Sequence, residues 1–94
     1  MAKPKISILV EKLGRERVGG HKVLGLAYKY DKKIRLEFNQ KPKSFQNTLI
    51  HEVLHMVRPE LSEEAITETA DTIADILWKC GYRTNNIMKV GKLV

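Results

Sequence analysis

Cysteine, aromatic residues and long apolar runs are all scarce in this sequence. Cys80 is the single cysteine, so the chain cannot form an internal disulfide, which is typical of a reducing compartment. No apolar run approaches the roughly 20 residues of a membrane-spanning helix, and no clear small-residue cleavage site follows the short apolar run after residues 1–5. We therefore expect a cytoplasmic protein that has no membrane partner.

The net charge of +6 would suit a protein that binds nucleic acid. Aromatic residues make up only 6% of the chain, however, and lysines and arginines are scattered without an aromatic stacking motif or a recognition-helix pattern. A solvated basic surface is the preferred interpretation. Nucleic-acid binding, which would weaken steeply with salt, is the weaker alternative.

Length and composition fit one small domain that covers residues 1–94, because 43% apolar and 30% charged residues are ordinary for a globular chain. Residues 34–38 alternate between apolar and charged side chains, as in a half-buried strand. Residues 24–30 alternate in a similar way, and residues 31–33 form a short connection. Together these segments predict an antiparallel hairpin.

The two ends of the chain fit more than one structure. Residues 5–13 alternate like a strand, but they also fit a helix that starts at Pro4 and stops at Gly14, and we favour the helix. Residues 82–94 form a tail that we expect to add a short strand to the sheet or to fold over a cleft.

Two helices are predicted in the second half of the chain. The first begins with Ser44 as N-cap and ends before Arg58 and Pro59, since the residue before a proline disfavours helix. Its apolar stripe consists of Ile50, Val53, Leu54 and Val57. The second begins at Ser62 and ends at Gly81. Its buried stripe consists of Ile66, Ala70, Ile73, Ala74, Leu77 and Cys80.

These elements predict an α+β fold. A small antiparallel sheet of about three strands, or a mixed sheet as the alternative, would pack on the two main helices, with a short N-terminal helix beside them.

The HEVLH segment at residues 51–55 lies in the middle of the first predicted helix. Residues four apart share one face of a helix, so His51 and His55 can bind one tetrahedral zinc ion while Glu52 lies beside the open coordination position. Because the helix is bounded on both sides, the sequence favours a hydrolytic zinc site over two solvated histidines.

Catalytic zinc usually has three protein ligands and a water, so a third ligand must come from elsewhere. Glu63 is aligned with the buried stripe of the second helix and should face inward, whereas Glu68 is better placed in height along the helix. We give the facing direction more weight and choose Glu63, although a carboxylate there would also suit the helix N-terminus. The other candidates are Glu64, Asp71 and His21.

Residues 48–55 after the predicted strand, and LSEEAI at residues 61–66, resemble the small zincin-type metallopeptidases. The likeness covers roughly residues 22–80, and the chain resembles the compact gluzincin-like proteins of archaea and phages, including those called minigluzincins. Its specific identities are confined to the HExxH segment.

The resemblance implies one zinc ion bound by His51, His55 and Glu63, with Glu52 as general base and acid in the hydrolysis of a peptide or protein substrate. The ligand glutamate of such proteins is often followed, four residues later, by an acidic or amide residue. Glu64 and Glu68 have this spacing, which keeps Glu64 as an alternative ligand.

Three further expectations concern how such a peptidase would work. The strand at residues 34–38 would be the sheet edge that pairs with an extended peptide. Tyr28, Tyr82 and Arg83 are candidates for stabilising an oxyanion, and their spacing singles out none of them. By the same resemblance, the tail at residues 82–94 would make the enzyme latent. The competing hypothesis is a metallopeptidase scaffold that binds zinc and a partner protein without turnover.

Overall fold

The computed structural model describes residues 5–13, 17–18, 21–83 and 90–93. The described elements, in chain order, are β1 (Ser7–Glu11), β2 (Arg17–Val18), β3 (His21–Lys22), β4 (Gly25–Tyr28), β5 (Lys33–Glu37), α1 (Pro42–Val57), α2 (Glu63–Lys79) and β6 (Gly91–Lys92). Four strands form a mixed sheet in the order β4-β5-β1-β6, and β2 pairs with β3 separately. The sheet packs with two helices, so the predicted α+β class is confirmed, with one strand more than expected.

The predicted hairpin is present as β4 and β5, which pair antiparallel with Leu26 opposite Arg35. The turn between them contains Lys32 at φ 49, in the left-handed region. Ile34 and Leu36 alternate along β5 and are both fully buried. Their shared face is the side of the sheet that α1 covers.

The helix favoured for residues 5–13 is wrong, because this segment forms β1 and pairs in parallel with β5. Val10 is fully buried against the same core as β5, so pairing with a distant strand outweighs a local helical pattern. Leu13 is also buried, but it lies beyond the strand, where its backbone N–H donates to Glu37 Oε1 at 2.8 Å. The apolar residues that suggested a helix thus belong partly to the strand, while Leu13 is buried separately beyond its end.

Helix α1 begins at Pro42, three residues earlier than an N-cap at Ser44 would place its start. Lys41 is the N-cap without a side-chain hydrogen bond, and proline at the first helical position has no N–H that would need a partner. The Ser44 hydroxyl donates instead to Gln40 Oε1 at 2.8 Å. The helix ends at Val57, before Arg58 and Pro59, as predicted.

The buried stripe of α1 differs from the predicted one because α1 contacts both the sheet and α2. Phe45 belongs to the sheet core, and Leu49, Val53 and Met56 pack against it. Val57, expected to be buried, is 49% exposed at the end of the helix.

Helix α2 has the predicted cap, since Ser62 Oγ accepts from the backbone N–H of Ala65 at 3.1 Å. Gly81 follows the helix at φ +93, as expected for a residue that ends a helix. Ile66, Ala70 and Ala74 are buried. Cys80 was expected to be buried and is exposed, because it is the C-cap residue at the very end of the helix.

The described part of the tail adds a short strand, as expected, because β6 pairs antiparallel with β1. This places β6 at the edge of the sheet opposite β4. Residues 84–89, on which the expectation of a cleft-covering tail also depends, lie outside the described residues. Within the described ranges, no helix is long and apolar enough to cross a membrane.

Candidate metal centre

His51 and His55 lie one turn apart on α1, and Glu63 is the first residue of α2. A tight turn joins the helices: Arg58 N–H donates to Leu54 O at 2.8 Å, and Leu61 N–H donates to Arg58 O at 3.1 Å. The chain therefore reverses at once, and the first turn of α2 lies beside the last turns of α1. In the sequence, facing direction favoured Glu63 and height along the helix favoured Glu68. The structure favours Glu63, because its side chain at the start of α2 reaches back to both histidines.

Three donor groups converge at this helix junction. His51 Nε2 and His55 Nε2 are 3.2 Å apart, and each lies 2.8 Å from a different carboxylate oxygen of Glu63. Zinc–nitrogen bonds of about 2.05 Å would place neighbouring tetrahedral ligands about 3.3 Å apart, close to the observed spacing. The three residues thus form a group that is compact enough to hold one metal ion.

Hydrogen bonds among the two histidines and Glu63 cannot account for all three close contacts. Each Nε2 carries at most one hydrogen, and a carboxylate carries none, so at most two of the three close atom pairs can contain a hydrogen. A single cation between the three groups would instead be attracted to every donor atom. The donor set therefore fits a metal ion.

Glu52 occupies a different environment from the three converging donor groups. Its side chain packs against Gly25, and the residue is only 9% exposed. Burial raises the pKa of the Glu52 carboxyl, the charge of His51 lowers it, and the Glu63 carboxylate raises it further. The carboxyl group thus has a higher affinity for a proton than an exposed glutamate would have.

Gly25 allows β4 to approach α1 closely at this point. A Cβ atom on Gly25 would lie 2.7 Å from Thr48 Cγ2 and 2.9 Å from Glu52 Cγ, closer than real Cβ atoms come to neighbouring atoms to which they are not bonded. Sequence reasoning missed Gly25, although a glycine inside an alternating strand pattern is a known sign of close backbone approach.

Gln40 links the end of β5 and the residue before β4 to α1. Its Nε2 donates to Glu37 O at 2.9 Å and, more weakly, to Leu24 O at 3.4 Å. Its Oε1 accepts from the hydroxyls of Ser44 and Thr48, at 2.8 and 3.1 Å. No pattern in the sequence marks Gln40, because its partners come from three separate elements.

An open cavity of about 480 Å³ lies between β4 and the helix junction. It is lined by the four site residues together with Val23, Gly25, Leu26, Ala27 and Lys29. The expectation that residues 34–38 form the sheet edge is wrong, since β5 pairs with β4 on one side and with β1 on the other. Among the described strands of this sheet, β4 is the edge beside the cavity.

The other ligand candidates are not part of the described cluster. Glu64 and Glu68 are exposed and lie outside the metal-compatible group. Asp71 Oδ1 accepts from Asn47 Nδ2 at 2.8 Å, further along the helix pair. His21 is in β3, and its side chain lies outside the described part of the structure.

The three oxyanion candidates do not line the 480 Å³ cavity. Tyr28 OH accepts from Arg35 Nη1 at 3.0 Å. Arg83 Nε donates to Trp78 O at 3.1 Å, near the far end of α2, and the neighbouring Tyr82 is 69% exposed.

No protein-family model, curated protein or solved structure matches the chain. The likeness to minigluzincins stays a prediction that rests on the sequence motifs.

Proposed function

We propose that this protein is a zinc-dependent peptidase in which His51, His55 and Glu63 bind the ion and Glu52 transfers protons. The observation that carries the proposal is the convergence of three donor groups at 2.8–3.2 Å beside a buried glutamate, in one cavity. Two imidazoles and one carboxylate are a known ligand set of catalytic zinc, which leaves the fourth position for water or substrate.

Zinc, when bound, would lower the pKa of a bound water toward about 7 and would polarise a carbonyl group. Glu52 takes a proton from the water that attacks the peptide carbonyl, and then donates it to the leaving amine as the C–N bond breaks. A general base works best when its pKa lies near the operating pH, and burial moves the Glu52 pKa in that direction.

The substrate peptide would lie along β4. This strand is the edge of the described sheet next to the cavity, and one side of its backbone has no strand partner there. An extended peptide can add to such an edge through main-chain hydrogen bonds, which would hold it beside Glu52.

Metal content and metal-dependent cleavage test the proposal. We expect purified protein to bind one zinc ion, to lose peptide cleavage on treatment with a chelator, and to regain it when zinc is added back. Absence of zinc binding would contradict the proposal. Stoichiometric zinc without cleavage of any peptide would favour the scaffold without turnover.

Gly25→Ala should lower kcat by about 100-fold, because the new methyl group would displace the Glu52 side chain, and errors of about 1 Å in such groups cost that much. Zinc affinity should stay the same, since the nearest atoms to the added methyl belong to Thr48 and Glu52. Steady-state kinetics and zinc titration would measure the two effects separately.

The double variant Gly25→Ala/Thr48→Ser provides the matched control. It removes the closest clashing atom, Thr48 Cγ2, and keeps the hydroxyl that donates to Gln40. Partial recovery of kcat is expected. A wild-type kcat in Gly25→Ala would show that this close approach does not position Glu52.

A further inference from the structure

Lys29 lies just after β4 and lines the same cavity as His51, Glu52, His55 and Glu63. Its side chain is exposed, and it forms no ion pair with any residue in the described part of the chain. Most charged groups at the helix junction already have a partner, whereas Lys29 has none among the described residues and lines the cavity that a substrate would occupy.

Lys29 is the only lysine or arginine on the described wall of the cavity. Val23, Leu26 and Ala27 are uncharged, and the only other charged side chains on the described wall belong to the three converging donor groups and Glu52. A divalent ion would balance the carboxylates of Glu63 and Glu52. With the ion bound, the net charge of the cavity would therefore be positive and would come from Lys29.

The part of β4 that leads to Lys29 carries small, uncharged residues. Ala27 and Gly25, two and four residues before Lys29, are the smallest residues on the wall, and Gly25 lies directly against α1. A peptide on the β4 edge would thus pass small residues near Glu52 and meet an ammonium group at one end of the strand. The net charge of +6 would also raise the rate of encounter with acidic peptides.

We propose that Lys29 makes this site selective for peptides that carry an acidic side chain on one side of the cleaved bond. The inference rests on the proposed peptidase function and adds a substrate class to it. Lys29 acts here as a specificity residue, which binds a carboxylate of the substrate and takes no part in proton transfer.

A set of short fluorogenic peptides tests the proposal, each with Glu, Gln or Lys at one position near the cleaved bond. With zinc-loaded wild type, kcat/KM should be about tenfold higher for Glu than for Gln at a position on one side, as expected for a partly screened charge-assisted hydrogen bond. Lys29→Gln should remove this preference, and Lys29→Glu should reverse it in favour of Lys peptides.

Lys92→Glu is the matched control for Lys29→Glu, because it changes the net charge by the same amount. Lys92 is exposed on β6, at the opposite edge of the sheet. It should keep the preference for Glu peptides. Equal kcat/KM for Glu and Gln peptides in wild type, or a preference that survives Lys29→Gln, would overturn the inference.

Binding provides a readout that does not depend on turnover. Fluorescence anisotropy with zinc-loaded Glu52→Gln should show the same order of affinity for the Glu, Gln and Lys peptides, and Lys29→Gln in that background should remove it. Cleavage without a charge preference would refute the role of Lys29 alone. Failure of wild type to cleave any peptide would refute the peptidase function, while the anisotropy comparison would still decide whether Lys29 selects acidic peptides.

Discussion

Glu52→Gln is expected to lower kcat for peptide cleavage by about 100- to 10,000-fold, the usual contribution of a positioned general acid–base group. Glutamine has nearly the same shape as glutamate, so it can fill the space between Gly25 and α1 without taking a proton from water. Zinc affinity should change little, because Glu52 is not one of the three converging donors. The variant thus separates proton transfer from metal binding.

Single-turnover kinetics and zinc titration would measure these two effects, and Glu64→Gln is the control. Glu64 is an exposed carboxylate in the first turn of α2, so its substitution removes the same charge without entering the cavity. It should keep wild-type kcat. Undiminished cleavage by zinc-loaded Glu52→Gln would refute the role assigned to this residue.

Glu63→Ala is expected to lower zinc affinity by more than about 100-fold. Loss of groups that only orient metal ligands costs about 10- to 100-fold in affinity, and loss of a direct ligand should cost more. Only His51 and His55 would then remain of the converging group. The fold should survive, because the Glu63 side chain is 67% exposed and its favourable interaction with the helix N-terminus is worth at most about 1 kcal/mol.

Competition with a chromophoric chelator would measure the affinity, and thermal unfolding would confirm that the variants are folded. Glu64→Ala and Glu68→Ala serve as controls that also test the two alternative ligands. Both should bind zinc like wild type, since neither belongs to the converging group. A large loss in Glu64→Ala together with normal binding by Glu63→Ala would transfer the ligand role to Glu64.

Features set by neighbouring residues were predictable from the sequence. The cap at Ser62, the helix end at Gly81 and the hairpin of β4 and β5 all follow from short patterns of side-chain type. The proximity of Glu63 to both histidines was also predictable, because a short connection leaves two consecutive helices little choice but to lie side by side.

Features set by distant pairing were not predictable in this way. Residues 5–13 satisfy both a helical and a strand pattern, and the choice depends on β5, which lies far along the chain. The same parallel pairing places β5 inside the sheet and leaves β4 as the described edge beside the cavity. The role of Gln40 was not predictable for a related reason. Its amide links a strand end, a loop carbonyl and a helix, and only the complete fold brings these together.

The order of β1 and β6 in the sheet has a consequence for how the protein assembles during synthesis. All three converging donors come from residues 51–63, within a single helical hairpin whose contacts are local and should form early. The sheet, by contrast, cannot be completed until residues 91–92 have left the ribosome and reached β1. We therefore expect the three donor groups to converge before β6 joins the edge of the sheet opposite β4.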